Sequence, residues 1–507
     1  MRVLFVYPNV KGQVGFHYGL GSLSAVLKKA GHETALINLN EKVAPVPDPE
    51  AFVERVRAFR PGLVGFSVVT PQYGTALAYA RRVREALGVP VVFGGVHATM
   101  VPETIITEDA VDFVCVGEGE DALEELVGAL EAGRDVSGIR NIWTQSDGRV
   151  HENPVRPLPD PASLPMPDHD LFGIEELTRA RGGWVGLLAS RGCPFRCTYC
   201  FNHRMVERYT RDLGVPVRDL NYVRRTPVEG VIAEIESLLA RDMPLEMFIF
   251  DDDLFTHDPA YVKAFCRRYA ETCSVPLTVN AHVKRFDAGV AQALAGAGCR
   301  IVKFGVESGS PRIRSKVLNR HMSDDDIVSA IACAHEAGMA SSAFVMAGLP
   351  RETPEDLEAT FDILARARPG RFRWSTFFPF PGTRAFEMAE ADGSLDRETL
   401  ETLDSFFGNS ALDLGETMNR LVRRARWTFP WHVNARLPEP TGSFYAGKVE
   451  AFHAMDEETF AGKTETFREI DARFADEAEA TGGDPYRIRF NDFMAVRRGG
   501  AAEDGEG

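Results

Sequence analysis

Cysteine is scarce in this sequence: 8 residues in 507. That excludes a disulfide framework and fits thiols kept reduced. Long apolar runs are missing too. None approaches the ~20 residues that a membrane helix needs, so no membrane partner is expected. Basic residues are outnumbered, 57 Lys and Arg against 73 Asp and Glu, for a formal net charge of −16. This balance argues against a nucleic-acid partner, which calls for a basic surface. The opening MRVLFVYPNV enters a strand-like run with no cleavage-site pattern, so no signal peptide is expected and the chain reads as cytoplasmic. No internal repeat is found. What is present is the balance of a folded protein, 44% hydrophobic and 26% charged residues. The length suits roughly three domains.

Residues 3–7, 34–39, 63–69, 89–94 and 113–117 are short runs rich in Val, Ile, Leu and Phe. They predict strands buried on both faces of a parallel sheet, with amphipathic stretches such as 21–30 and 73–87 between them. The pattern predicts an α/β, doubly wound (Rossmann/flavodoxin-like) domain over 1–150, ending in a hairpin at 142–152 that turns on Ser146-Asp147-Gly148. Ligands of such sheets bind beyond the carboxyl ends of the strands, which singles out loops 8–19, 67–73, 94–102 and 117–120. Residues 154–167 carry six prolines and no period, so 151–180 is read as a linker. A second alternation has strand candidates at 184–189, 246–250, 277–280, 301–306, 343–347 and 372–378. With helices at 228–239, 259–269, 324–337 and 354–365, it predicts a partial (β/α)6 barrel over 181–390. Residues 391–507 form a mixed, helical cap that closes the barrel mouth and helps select substrate, and the tail 498–507 is expected to be disordered.

The first barrel strand runs into Ser190-Arg191-Gly192-Cys193-Pro194-Phe195-Arg196-Cys197-Thr198-Tyr199-Cys200. Three thiolates from one loop suit a soft-metal centre. An iron–sulfur cluster with one open iron is one reading; zinc with a distant fourth ligand, or three unrelated thiols, are the others. No second cysteine pair exists for a zinc knuckle. Cys115, Cys266, Cys273, Cys299 and Cys333 are isolated and read as buried small hydrophobes.

This loop, at the end of the first strand of a partial barrel, resembles that of the radical S-adenosylmethionine (SAM) superfamily. The resemblance implies a four-iron ([4Fe-4S]) cluster on Cys193, Cys197 and Cys200. SAM would bind the open iron and be cleaved to methionine and a 5′-deoxyadenosyl radical. It also implies SAM contacts from Tyr199 to adenine, and from Asp251 and Asp252 to the amino group, with Asp253 alternatively capping a helix. Glu307 and Ser308 lie in a segment like the family's ribose-side one, where Glu307 alternatively caps a helix. Gly348 opens Gly348-Leu349-Pro350-Arg351-Glu352-Thr353, similar to the family's GLPGET segment. Arg351 replaces the usual glycine there, which puts a side chain near the site. Phe380-Pro381-Gly382-Thr383 resembles another family segment.

The N-terminal loops carry Ser67, Val69 and Thr70 after the third strand, then Gly94, Gly95, Val96 and His97 after the fourth. Gly117, Glu118 and Gly119 follow the fifth. Two adjacent glycines let a flat group approach the backbone. These segments resemble the cobalamin-binding domain found upstream of many radical SAM barrels, and imply that the named residues bind cobalamin. Many such domains carry an Asp-x-His-x-x-Gly loop whose histidine ligates cobalt; residues 8–17 do not match it. Cobalamin is therefore expected without a protein histidine on cobalt. His17 reads as a surface or core histidine, and His97 as pocket-lining.

Taken together, the resemblance is to the cobalamin-dependent (class B) radical SAM methyltransferases. It implies transfer of methyl from SAM via methylcobalamin to an unactivated carbon, or a phosphinate, of a small-molecule or peptide substrate. A rearrangement, cyclisation or ring contraction with the same cofactors is the alternative. A non-catalytic Fe–S electron-transfer protein is a third reading, against which the strand-end SAM segments argue. Methylthiolation needs three further N-terminal cysteines, and only Cys115 is there. A flavodoxin- or ferredoxin-type electron donor is implied. Arg204, Arg208, Arg211, Arg218, Arg224 and Arg225 read either as its docking face or as a solvated face or anion grip. Trp427, Trp431 and the basic run 420–426 read as core and surface, and no catalytic side chain is assigned.

Overall fold

Successive side chains of a strand point to opposite faces. The first strand, β1 (Arg2–Tyr7), buries both: Val3 and Phe5 join one hydrophobic cluster, Leu4 and Val6 another. The structure is a computed structural model that describes residues 1–146, 148–403 and 408–498. Asp147 of the expected hairpin turn and residues 499–507 of the expected disordered tail lie outside the described residues. The chain divides into two compact units, one of residues 1–195, 200–249 and 380–383, the other of 196–199, 250–379 and 384–507.

In the first unit β1 lies between β2 (Glu33–Asn38) and β3 (Leu63–Ser67). β4 (Val91–Gly94) and β5 (Phe113–Cys115) follow, all parallel. β6 (Ile142–Ser146) and β7 (Arg149–His151) extend the edge antiparallel. The order β2-β1-β3-β4-β5 is doubly wound, with its switch point between β1 and β3. Helices Pro49–Phe59 and Tyr73–Leu87 cover one face; Tyr18–Lys29 and Glu120–Glu131 cover the other. The proline-rich stretch is no free tether. Val155 is fully buried and its N–H donates to Asp212 at 3.2 Å, while Asp168 accepts from Ser24 Oγ at 2.5 Å. Proline's fixed φ lowers the entropy lost when such an irregular segment is ordered. The unit continues through β8 (Trp184–Leu187) and a short antiparallel ribbon of β9 (Ser190–Arg191) with β10 (Arg224–Arg225), and runs into β11 (Met247–Phe250).

The second unit carries parallel β12 (Leu277–Ala281), β13 (Cys299–Glu307), β14 (Ala340–Ala347) and β15 (Arg371–Thr376). Capping boxes, Ser323 with Asp326 and Thr353 with Asp356, start two of its helices. Helices Glu416–Asn434, Thr441–His453, Glu457–Thr464 and Phe467–Ala480 build a separate core around Trp431. The hairpin of β16 (Tyr486–Ile488) and β17 (Met494–Arg497) then pairs antiparallel with β15. This hairpin covers the edge of the sheet beside β15, where unpaired backbone groups would otherwise face solvent. Among the described residues no helix is long and apolar enough to cross a membrane.

Candidate functional site

The loops after β3, β4 and β5 are stitched to one another. The His97 N–H donates to Val68 O at 3.1 Å, His97 Nδ1 lies 3.0 Å from Thr70 Oγ1, and the Gly117 N–H donates to Thr99 Oγ1 at 3.0 Å. Gly95 (φ 91°) and Gly117 (φ 84°) have left-handed backbones. A Cβ on Gly95 would meet Val68 N at 2.7 Å, and one on Gly117 would strike the Tyr209 hydroxyl. These two glycines answer to the protein's own packing. Of the adjacent pair only Gly94 has room for a side chain, its nearest neighbour being Cys115 Cβ at 3.7 Å. Ser67 is buried, Val69 exposed, and Val96 and Gly119 are half-buried.

His17 lies at the switch point as the cap of helix Tyr18–Lys29. Its Nδ1 accepts from the Leu20 N–H at 3.1 Å and its Nε2 lies 3.0 Å from Ser67 Oγ. Burial holds its pKa down at about 4, so the ring is neutral, with Nε2–H donated to Ser67. Burial likewise holds His97 down at about 4, its ring centroid 4.7 Å from that of Tyr73.

Glu118 behaves differently from the expectation that it faces a ligand. Its carboxylate is an anchor: Arg191 Nη1 donates to Oε2 at 2.9 Å, Arg224 Nη1 to the same oxygen at 3.0 Å, and Arg224 Nη2 to Oε1. The Glu118 N–H donates to Tyr209 Oη at 3.0 Å. Arg191 also donates to Glu120 at 2.7 Å. Burial pushes the Glu120 carboxyl up, yet Arg191 and the Ser22 hydroxyl outweigh it and hold the group below the usual carboxylate range. The sequence assigns no role to Arg191 or Tyr209, and it reads Arg224 only with the basic cluster after the cysteine loop. Two of them are arginines, which no local pattern separates from solvated ones.

The cysteine loop leaves β9 through Gly192 (φ 82°), which packs against Tyr222. Cys193 and Cys200 are half-exposed and Cys197 is buried. Asn202 Nδ2 donates to Cys200 Sγ at 3.4 Å. In the second unit Arg320 Nη1 donates to Cys197 Sγ at 3.5 Å and to Tyr199 Oη at 3.4 Å, and Tyr199 Oη donates to Glu307 Oε1 at 3.0 Å. Two residues singled out separately in the sequence, Tyr199 and Glu307, are therefore partners. Burial pushes the Glu307 carboxyl up, with Arg320 and Tyr199 pulling against it. Arg320, which the sequence reading missed, keeps its buried Nε without a hydrogen-bond partner. Three soft donors on one loop, N–H groups aimed at two of the sulfurs, and one unpartnered guanidinium N–H beside them fit an iron–sulfur cluster with SAM. Among the described residues no three His, Cys, Asp or Glu side chains are placed to hold a single metal ion. A cluster takes each thiolate on a different iron.

The other residues divide. Asp252 is fully buried and its carbonyl accepts from Asn280 Nδ2 at 2.9 Å; Asp251 is exposed. The helix after them is capped by Asp258, not Asp253. The Ser308 hydroxyl is turned into the interior, accepting from the Ser310 N–H at 3.2 Å and lying 3.5 Å from Thr360 Oγ1. Gly348 (φ 79°) is buried, and its N–H donates to Glu352 at 2.7 Å. Arg351 has the left-handed backbone that a glycine supplies freely (φ 61°). Its side chain is exposed and paired with Asp392 at 2.6 Å, so the expected intrusion into the site does not occur. Among the described residues, five of the six arginines after the cluster loop are paired. Arg204, Arg208, Arg211 and Arg218 pair with Glu207, Glu103, Asp212 and Asp219, and Arg224 is buried on Glu118.

A B12 binding domain model matches residues 9–127, and a radical SAM superfamily model matches residues 187–364. The chain is 29% identical over 407 residues to an uncharacterized methyltransferase of Pyrococcus horikoshii, covering 78% of this chain and 84% of that protein. It is 24% identical over 454 residues to an anaerobic magnesium-protoporphyrin IX monomethyl ester cyclase of Rubrivivax gelatinosus, covering 85% of this chain and 77% of that one. Its fold is that of the radical SAM methyltransferase TsrM from Kitasatospora setae, solved with cobalamin and a [4Fe-4S] cluster bound. The TM-score is 0.63 at 22% identity over 78% of each chain. The chain is a radical SAM enzyme with a B12-binding domain ahead of its radical SAM domain.

Proposed function

We propose that this protein is a cobalamin-dependent radical SAM methyltransferase acting on an unactivated carbon, or a phosphinate, of a small-molecule or peptide substrate. The observation that carries the reading is the Glu118 anchor. The loop after β5 of the B12-binding domain is bolted by Arg191 and Arg224, and Arg191 is separated from Cys193 by Gly192 alone. Such an anchor supports chemistry that uses both modules together, since a misplacement of ~1 Å is costly in a two-cofactor reaction.

When bound, the cluster and SAM supply a carbon-centred radical, and cobalamin supplies an activated methyl group. Cys193, Cys197 and Cys200 hold the cluster. Tyr199, Glu307, Asp251, Asp252, the backbone at Ser308 and Gly348 orient SAM. The loops at 67–70, 94–97 and 117–119 hold the corrin. Both nitrogens of His17 are engaged, which supports cobalt without the His17 imidazole. The chain is read as a cobalamin module over 1–150, a joining segment 151–180, the radical SAM barrel 181–390 and a substrate region 391–507. A flavodoxin- or ferredoxin-type donor reduces the cluster in the cytoplasm.

The second reading is cyclisation or rearrangement with the same cofactors, favoured by the likeness to the cyclase. The test is anaerobic reconstitution with cluster and cobalamin, addition of reductant and SAM, and mass analysis over candidate substrates. A product heavier by one methyl group supports transfer, an isomeric or cyclised product supports the second reading, and absence of 5′-deoxyadenosine sinks both.

A further inference from the structure

In the second unit a cavity of about 380 Å³ is lined by Thr376 at the end of β15, by Asp396 and Thr399, and by residues between Gly408 and Arg426. That is room for a small molecule. Gly348, which follows the last residue of β14, lies against two of its walls: a Cβ there would be 3.4 Å from Val422 and 3.7 Å from Ser410. The cavity therefore sits at the carboxyl ends of the strands, where this kind of barrel carries its chemistry.

The arginines of the helix Glu416–Asn434 split by face. Arg420 and Arg424, four apart, both pair with Glu457, and Arg424 also donates to three carbonyls, of Phe452, His453 and Met455. Arg423 and Arg426, three apart on another face, line the cavity. Neither has an ion pair or a side-chain hydrogen bond among the described residues, and Arg426 keeps a buried Nε with no partner. The Arg426 guanidinium is held by ring contacts instead, 5.0 Å from Trp427 and 5.8 Å from Phe493. Its backbone carbonyl accepts from Trp374 Nε1 at 2.8 Å.

The two carboxylates of the cavity are exposed and occupied. Asp396 accepts from the Thr399 N–H at 3.0 Å, and Asp413 from the Gly415 N–H at 3.0 Å and Asn419 Nδ2 at 2.7 Å. The Asp492 carboxylate attracts Arg426 without pairing with it, and a half-buried guanidinium with no direct ion pair or hydrogen bond is costly unless an anion arrives. Asn409, Ser410 and Thr376 add neutral polar groups to the same wall.

We propose that this cavity is the substrate subsite for an oxyanion, a carboxylate or a phosphoryl-type group, gripped by Arg426 with Arg423 at the exposed mouth. The substrate is then an anionic small molecule whose charged end is held in the cavity. This rests on the proposed function for the word substrate; the anion site itself does not.

The test uses the full chain reconstituted with cluster and cobalamin, and equilibrium binding of benzoate and of phenylphosphonate against benzamide, with and without SAM. At least one anion binds at least about tenfold more tightly than benzamide, and SAM does not displace it. The better anion names the source of the oxyanion. Arg426→Gln loses the preference, and Arg426→Lys retains part of it. Equal binding of benzamide and both anions by the wild type, undiminished preference in Arg426→Gln, or competition by SAM each overturns the proposal. Should Arg426→Gln not fold, the wild-type comparison and Arg426→Lys still decide. Failure of the proposed function is read separately, as absence of 5′-deoxyadenosine.

Discussion

Arg191 donates to Glu118 at 2.9 Å, joining the residue two before the first cluster-loop cysteine to the loop after β5 of the B12-binding domain. Glu118 also neutralises Arg224, whose side chain is 3% exposed. Glu118→Gln leaves that guanidinium without its counterion, a loss of about 3 kcal/mol. The expected outcome is a lower denaturation midpoint and weaker corrinoid retention, read by absorbance after gel filtration, with iron content unchanged.

Arg320 places positive charge and an N–H on Cys197 Sγ. Hydrogen bonds and charge at cluster sulfurs set reduction potential. Arg320→Gln makes the cluster harder to reduce, a shift to more negative potential in a redox titration followed by electron paramagnetic resonance. Arg320→Lys shifts it less. An unmoved potential in both variants would contradict this.

Tyr199→Phe removes the proton donated to Glu307 at 3.0 Å. Losing one partner of a buried charged acceptor costs about 1.5–3 kcal/mol. SAM affinity is expected to fall by at least about tenfold in equilibrium dialysis, while the cluster's visible spectrum stays as in the wild type.

Gly117→Ala tests whether packing or a ligand requires the glycine. Its φ of 84° strains alanine and its Cβ would strike the Tyr209 hydroxyl. About 1–3 kcal/mol of destabilisation is expected. Tyr209→Phe in the same chain recovers part of it, because one of the two causes is removed. Full additivity of the two losses would show that the contact does not matter.

Stability depends on pH through Glu352. Burial pushes its carboxyl up to about 8 although the Gly348 and Leu349 N–H groups donate to it. The folded chain keeps a proton that the unfolded chain releases, so this contribution is full below the ordinary carboxyl range and is lost as pH rises through about 8. Chemical denaturation of wild type loses stability over that window relative to Glu352→Gln. Parallel pH profiles would refute the assignment.

The strands were legible because apolar runs and turn residues act within a few positions. β1 through β5 and β12 through β15 fall within a few residues of the expected runs. β16 and β17 were not, since three- and four-residue strands paired with β15 carry almost no local signal. Glu118 and Ser308 lie in strand-end loops, as the sequence expects, but the directions of their side chains come from partners elsewhere. The replaced glycine puts the Arg351 side chain near the site in the sequence; Asp392, 41 positions away, draws it outward.

By itself the sequence determined two α/β modules in order and a three-cysteine loop at a strand end, because periodicity and spacing are local properties of the chain. Only the tertiary structure decided what each arginine does. Arg224 is a buried counterion, Arg424 caps a helix end, Arg320 faces a thiol and Arg426 keeps a buried Nε without a hydrogen-bond partner. Arginine is the same long, always-charged side chain in each case. Its role is set by which groups folding brings within reach, in Arg224 by a carboxylate 106 residues distant.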